Sequence, residues 1–191
     1  ADVRINVTNP AGEATALSST DGAVTETERG IYRANYSETA LEGNYSITVQ
    51  ASGLNVNDLM TTHFMVKRFY EFDILRDSPV TTDPWKGPFM SKITLISYTD
   101  TAKFDFSEAL PAEFTITDAG GADVLQQGGK KILTWHNLNN NSLVSYQALP
   151  PLRSPELHEL GPARITYGSN AFAEARPWFL AVDPAGSGRR Q

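Results

Sequence analysis

The stretch Lys92–Val182 decides the fold. It carries Ile93-Thr94-Leu95, Phe104-Asp105-Phe106 and Phe114-Thr115-Ile116, then Ile132-Leu133-Thr134-Trp135-His136-Asn137-Leu138. Leu143-Val144-Ser145-Tyr146 follows, and Phe179-Leu180-Ala181-Val182-Asp183-Pro184 closes it. These are short runs rich in β-branched and aromatic residues, separated by glycine, proline and asparagine, which is how strands of an all-β domain read. One segment carries helix signals. Ser154-Pro155-Glu156-Leu157-His158-Glu159-Leu160-Gly161 has a serine cap, proline at the first position and glycine after the end, and predicts about two turns at most.

Toward the N-terminus the pattern becomes strict alternation. Val3, Ile5 and Val7 alternate with Arg4 and Asn6, Tyr32, Ala34 and Tyr36 with Arg33 and Asn35, and Tyr45, Ile47 and Val49 with Ser46 and Thr48. Each series puts apolar side chains on one face and polar ones on the other, as a half-buried antiparallel strand requires. Turn residues separate them at Asn9-Pro10-Ala11-Gly12, Thr20-Asp21-Gly22 and Glu42-Gly43-Asn44. A longer alternation (Phe64, Val66, Arg68, Tyr70, Phe72, Ile74) exceeds one ordinary strand, so a join between modules is expected near Lys67–Asp73. The proline-bearing Asp77–Pro88 is the alternative linker and is read instead as the opening edge of the second module, whose core strands are expected from Lys92. The expectation is all-β, two tandem β-sandwiches at residues 1–70 and 71–184, with 185–191 a flexible tail or linker.

The bulk composition excludes several function classes. The chain has 16 basic and 22 acidic residues and a formal charge of -6, which disfavours nucleic acid and anionic membranes as partners. Without cysteine, disulfides, thiolate metal sites and thiol nucleophiles are excluded. No apolar run approaches the roughly 20 residues of a membrane-spanning helix. The opening Ala1-Asp2-Val3 is compatible with a mature end left by signal-peptide cleavage, which is favoured over the alternative of an arbitrary boundary.

Four ordered motifs carry a resemblance. They are Ile93–Ile96, Leu110-Pro111-Ala112-Glu113-Phe114, Thr134-Trp135-His136-Asn137-Leu138 and Leu143-Val144-Ser145-Tyr146. Together they make the second module similar to the conserved-repeat surface domain of bacterial and archaeal envelope proteins, an immunoglobulin-like sandwich that occurs in tandem. Leu149–Ala171 departs from that pattern as an insertion-like, proline-rich stretch. The first module resembles immunoglobulin-like surface modules through Gly30-Ile31-Tyr32 and Gly43-Asn44-Tyr45-Ser46-Ile47. The resemblance implies spacers, stalks, adhesins or fibre-forming proteins, and it implies no catalysis.

Candidate chemistry is sparse. His63, His136 and His158 lie far apart, with no metal-ligand spacing such as H-E-x-x-H, so surface or half-buried strand histidines are expected and no metal site. Asp118-Ala119-Gly120-Gly121-Ala122-Asp123 offers two carboxylates where a calcium loop needs about six oxygen ligands, and reads as a hairpin turn. Asp100, Asp105 and Glu108 form another acidic group, in which Asp105, between Phe104 and Phe106, should face solvent. Calcium at a module junction is the one cofactor the acidic groups leave room for; otherwise none is expected. Gly128-Gly129-Lys130-Lys131 lacks the remaining residues of a phosphate loop and reads as a turn, and Ser187 sits in the tail without a nucleophile elbow. Lys92, Lys103, Asn170 and Glu174 are the candidates for an intramolecular isopeptide bond. Asn6, Asn35, Asn44 and Asn140 begin N-x-[ST] sequons and are candidate glycosylation sites.

The expected function is therefore a non-enzymatic structural module of an extracellular, cell-surface protein, a stalk or filament subunit. Its partners would be further copies of itself or neighbouring domains, joined head to tail through an edge-like start at Val3, Ile5 and Val7. The alternative is a carbohydrate- or ligand-binding adhesion module using exposed aromatics, with Trp85 the surface candidate and Trp135 and Trp178 core anchors.

Overall fold

The computed structural model describes residues 2–53 and 56–183. Its regular structure is strand throughout, apart from one 3-10 turn at Pro84–Lys86. No helix among the described residues is long and apolar enough to cross a membrane. The chain divides into two compact units, 1–69 and 70–191. The expected tail at 185–191, with Ser187, lies outside the described residues.

The first unit is built from β1 (Asp2–Thr8), β2 (Ala14–Ser18), β3 (Val24–Glu28), β4 (Ile31–Ala34), β5 (Gly43–Gly53) and β6 (Val56–Val66). Four of these form an antiparallel sheet in the order β2-β1-β5-β6, and β3 and β4 form a separate hairpin. The register pairs Val3 with Ala51, Ile5 with Val49 and Val7 with Ile47, so the apolar series read from the sequence share one face. Tyr45 is fully buried there and stacks on Phe64 of β6 at 4.9 Å between ring centroids. Val24 of the hairpin is buried as well, and Tyr36 meets Tyr45 edge-on. The start of the chain is not an edge: β1 is hydrogen-bonded on both sides, to β2 and β5. Residues 2–8 are therefore committed within their own sheet and are not free for donation to another molecule.

The second unit begins with β7 (Phe72–Asp77), β8 (Thr81–Thr82), β9 (Phe89–Ser97), β10 (Phe104–Pro111), β11 (Thr115–Asp118) and β12 (Asp123–Gln127). It continues with β13 (Lys130–Leu138), β14 (Ser142–Leu149), β15 (Glu156–Leu160), β16 (Arg164–Tyr167), β17 (Asn170–Ala173) and β18 (Trp178–Val182). One sheet runs β12-β13-β10-β16-β17, a second β11-β14-β9-β7, and a small third one β15-β18-β8. The inward residues of the two larger sheets, among them Phe106, Leu110, Leu133, Trp135, Ile93, Leu95 and Tyr146, form one contiguous core with Leu160 and Leu180 of the third. The core opens earlier than Lys92, since β7 already delivers Phe72 to it at 1% exposure. Alternating burial along β9 and β10 is the pattern of strands with one face in the core.

Three sequence expectations change in this unit. Glu156–Leu160 is strand β15 rather than a helix, paired antiparallel with β18 from Glu156↔Val182 to Leu160↔Trp178. Its period-two burial puts His158 and Leu160 inside and leaves Leu157 out, and a ladder plus core burial outweighs cap signals on so short a segment. The proline-rich Leu149–Ala171 is not an appendage, because it supplies β15, β16 and the buried Leu160, Ala163 and Ile165. Asp118–Asp123 is a turn but not a hairpin. It carries the chain from β11, paired with β14, to β12, paired with β13, and so crosses between sheets. There Gly120 sits at φ 57°, and a Cβ would run into the Ser145 carbonyl oxygen. Asp118 Oδ1 accepts from Gly120 N at 2.8 Å, and Trp135 Nε1 donates to Gly120 O at 2.9 Å. By contrast Gly128-Gly129 is the turn its composition predicts, a two-residue hairpin with both glycines at positive φ.

Candidate functional site

Strand alternation carries three charged side chains inward. Along β7, Arg76 shares the face of Phe72 and Ile74; along β10, Glu108 shares the face of Phe104, Phe106 and Leu110. Glu174 follows β17 directly. The Arg76 guanidinium donates to Glu108 Oε1 at 3.1 Å and Oε2 at 2.7 Å, and to Glu174 Oε1 at 2.9 Å and Oε2 at 2.8 Å. The side chains of Arg76 and Glu108 are 3% and 0% exposed, and that of Glu174 is 14% exposed. Glu174 Oε2 also accepts from Ala163 N. Two bidentate carboxylates on one guanidinium engage four of its five N–H donors.

The electrostatics follow from burial. Desolvation pushes the Glu108 carboxyl above its ordinary value against the opposing pull of Arg76, whose own charge the two carboxylates stabilise. Burial, reinforced by Glu108, likewise raises the Tyr146 phenol. Arg76 and Glu174 of the cluster line an open cleft of about 620 Å³ along the edges of β7 and β17, with Glu108 behind them. Tyr70, Tyr98, Phe172 and Trp178 add aromatic surface to it, and Asp73 and Arg176 add charge. An arginine held by two carboxylates is a fixed structural element, whereas Tyr70, Tyr98, Trp178 and the outer charges are the parts of the cleft a ligand can reach.

The residues singled out from the sequence distribute as follows. Trp135 is a core residue, Trp85 is 60% exposed, and Trp178 is half-buried, packing on the core while lining the cleft and donating to Pro79 O at 3.3 Å. Glu108 does not belong to a surface acidic group with Asp100 and Asp105; it is the deepest carboxylate of the second unit. Asp105 does lie on the outer face, where it accepts from Asn137 N at 2.9 Å and meets His136 Nδ1 at 2.8 Å. Asp123 approaches the other side of that ring at 3.4 Å. The hydrogen bond to Asp105 raises the pKa of His136. His63 is exposed on β6. His158 is 5% exposed, packs edge-to-face on Phe114 at 4.9 Å, and is held toward its neutral form by burial.

The isopeptide candidates do not meet the geometry of that bond. Lys92, Lys103 and Asn170 are exposed, and Glu174 is taken up by Arg76. Among the sequons, Asn6 on β1, Asn35 and Asn44 are exposed, and Asn140 is exposed at a turn where its Oδ1 accepts from Ser97 N. Asp118 and Asp123, the calcium candidates, are directed to Gly120 N and His136 respectively.

Two groupings escaped the sequence reading. The Arg76–Glu108–Glu174 cluster was signalled by period two, since counting onward from Phe104 and Phe106 puts Glu108 inside and counting onward from Phe72 and Ile74 does the same for Arg76. The second grouping is Glu113, Glu156 and His158, which lie together with one donor atom each within 4.8 Å of the others. A helix reading separates positions i and i+2, whereas a strand puts Glu156 and His158 on one side. No protein-family model matches the chain, and no curated protein is significantly similar to it.

Proposed function

We propose that the chain is a non-enzymatic structural module of an extracellular surface protein, a stalk or filament subunit whose β units contact further copies or neighbouring domains. The observation that carries this reading is the succession of two strand-built units in one chain, with only residues 67–71 between β6 and β7. Such units are rigid and stackable, and β12, at the edge of its sheet, offers backbone for strand addition. The closed Arg76–Glu108–Glu174 cluster favours a structural role for its carboxylates, because an acid–base group needs an unengaged oxygen facing substrate. Similarity of the motif order to tandem envelope repeats supports the same setting, as do exposed sequon asparagines at Asn35 and Asn44. Electron microscopy of the native source, with antibody to this chain, tests it: labelled surface filaments or stalks are expected, and labelling confined to the cell interior overturns it.

A second reading rests on the cleft. Aromatic faces at Tyr70, Tyr98 and Trp178 beside Asp73 and Arg176 combine stacking surface with hydrogen-bonding charge, the chemistry that holds a sugar. Polysaccharide pull-down separates the two. Binding lost in Trp178→Ala and kept in Trp85→Ala favours an adhesion module, and no binding by the parent chain leaves the structural reading alone.

A further inference from the structure

The sandwich contains a second polar constellation, away from the Arg76 cluster. Glu156 and His158 are positions i and i+2 of β15, so the ladder to β18 (Glu156↔Val182, His158↔Leu180) projects both to one side. Glu113 enters from the turn after β10, where Phe114 N donates to Pro111 O. His158 Nδ1 lies 3.8 Å from Glu113 Oε1, and Nε2 lies 3.4 Å from Glu156 Oε2.

Two atoms in this group are buried without a hydrogen bond: His158 Nε2 and Glu156 Oε2. The His158 side chain is 5% exposed, so Nε2 is withdrawn from water and faces Glu156 Oε2 at 3.4 Å without hydrogen-bond geometry. Buried polar atoms are nearly always satisfied, and a buried nitrogen facing a carboxylate oxygen outside hydrogen-bond geometry leaves room for a ligand that engages both. Arg153 serves the carboxylates only: its Nη2 reaches Glu113 Oε1 and its Nε pairs with Glu156 Oε2, each at 3.0 Å. With the ring proton on Nδ1, the Nε2 lone pair and the facing Glu156 oxygen are both electron-pair donors, and a cation between them satisfies the two together.

We propose that Glu113, Glu156 and His158 form a divalent transition-metal site, with zinc the ion that best suits one imidazole and two carboxylates. Donor atoms bound at about 2.0–2.2 Å in a tetrahedron lie about 3.4 Å from one another. The His158–Glu156 separation already has that value, and the set as a whole is within 4.8 Å. Glu113, on a turn and 45% exposed, is the ligand with freedom to close the remainder. Three protein ligands leave the fourth position to water or to a donor from another molecule. Arg153, 58% exposed, holds the carboxylates in its absence and competes with the metal. Phe114 fixes the imidazole plane.

The test is zinc titration of the tag-free chain by calorimetry, with cobalt absorption as a report on donor geometry. One zinc per chain is expected. Glu113→Gln should weaken it by more than about a hundredfold, beyond the roughly 10–100-fold that loss of an outer-shell partner costs. His158→Gln should do the same, and if that buried substitution unfolds the unit, the exposed Glu113→Gln still decides. Arg153→Ala should tighten binding several-fold by removing the competing cation, an effect no purely structural role of Arg153 produces. His136→Gln, which alters the exposed Asp105–His136–Asp123 group, should leave affinity unchanged. No binding by the parent chain, or binding lost with His136 and kept in Glu113→Gln, overturns the proposal.

Discussion

Replacing Arg76 with methionine tests whether the buried charge cluster governs the second unit. The substitution keeps an unbranched apolar side chain but removes four hydrogen bonds of 2.7–3.1 Å and the guanidinium paired with Glu108. Glu108 is wholly buried, so its carboxylate loses its hydrogen-bonded counter-charge and keeps only the more distant pull of Lys130. Breaking a buried pair by deleting one partner costs about 3–5 kcal/mol. The chain has an escape: Glu108 can take up a proton. From an ordinary value of 4.5, doing so at pH 7 costs about 3.4 kcal/mol, at 1.36 kcal/mol per unit, and at pH 5 only about 0.7 kcal/mol. The expected destabilisation is therefore about 3–4 kcal/mol at pH 7, shrinking by about 2–3 kcal/mol at pH 5. The sign follows from linkage. In the variant the folded state binds the proton and the unfolded state does not, so stability rises as pH falls toward 4.5. Urea unfolding followed by tryptophan fluorescence reads the second unit alone, since Trp85, Trp135 and Trp178 all belong to it. Adding Glu108→Leu to Arg76→Met should recover most of the loss, because apolar replacement of both members of a buried pair is often neutral. A single variant within about 1 kcal/mol of the parent at pH 7, or a penalty equal at the two pH values, would refute the reasoning.

Gly120→Ala should cost the second unit about 2–4 kcal/mol in urea unfolding, because it combines a left-handed backbone with a Cβ driven into Ser145 O; the same change at Gly121, with open space around it, should cost less. Leu160→Ala should destabilise by about 2–5 kcal/mol and Leu157→Ala by under about 0.5 kcal/mol, since β15 buries the first and exposes the second; equal losses would contradict the strand register. The His136 ring should titrate above 6.5 by NMR and fall back toward that value in Asp105→Asn. Its contribution to stability is present below pH 6.5 and fades as pH climbs through the raised folded value. That of Asp105, whose pKa is lowered chiefly by the Asn137 N–H, is present above 3.8 and fades as pH falls through the depressed value. The pair is thus strongest between those limits, and a stability profile flat across pH 6–8 in the parent and altered in Asp105→Asn would contradict it.

Alternation of apolar and polar residues was enough to determine the all-β class, because a period of two is a local property of the chain. Val3, Ile5 and Val7, and likewise Tyr45, Ile47 and Val49, occupy the same face before any partner strand is known, and Gly128-Gly129 makes its turn by backbone freedom alone. What a strand pairs with is not local. That β1 lies inside its sheet, that Asp118–Asp123 crosses between two sheets, and that Glu156–Leu160 joins β18 instead of coiling all depend on distant segments. The charged groups divide the same way. The sequence places Arg76 and Glu108 on inward faces, but only the packing of β7 against β9, and of the two sheets together, brings the guanidinium onto both carboxylates. Glu113 and His158 are 45 positions apart along the chain, and only the turn after β10 brings them together. Ladder hydrogen bonds and burial settle such choices, because their energies are collected over whole strands, whereas cap and turn signals act on one or two residues.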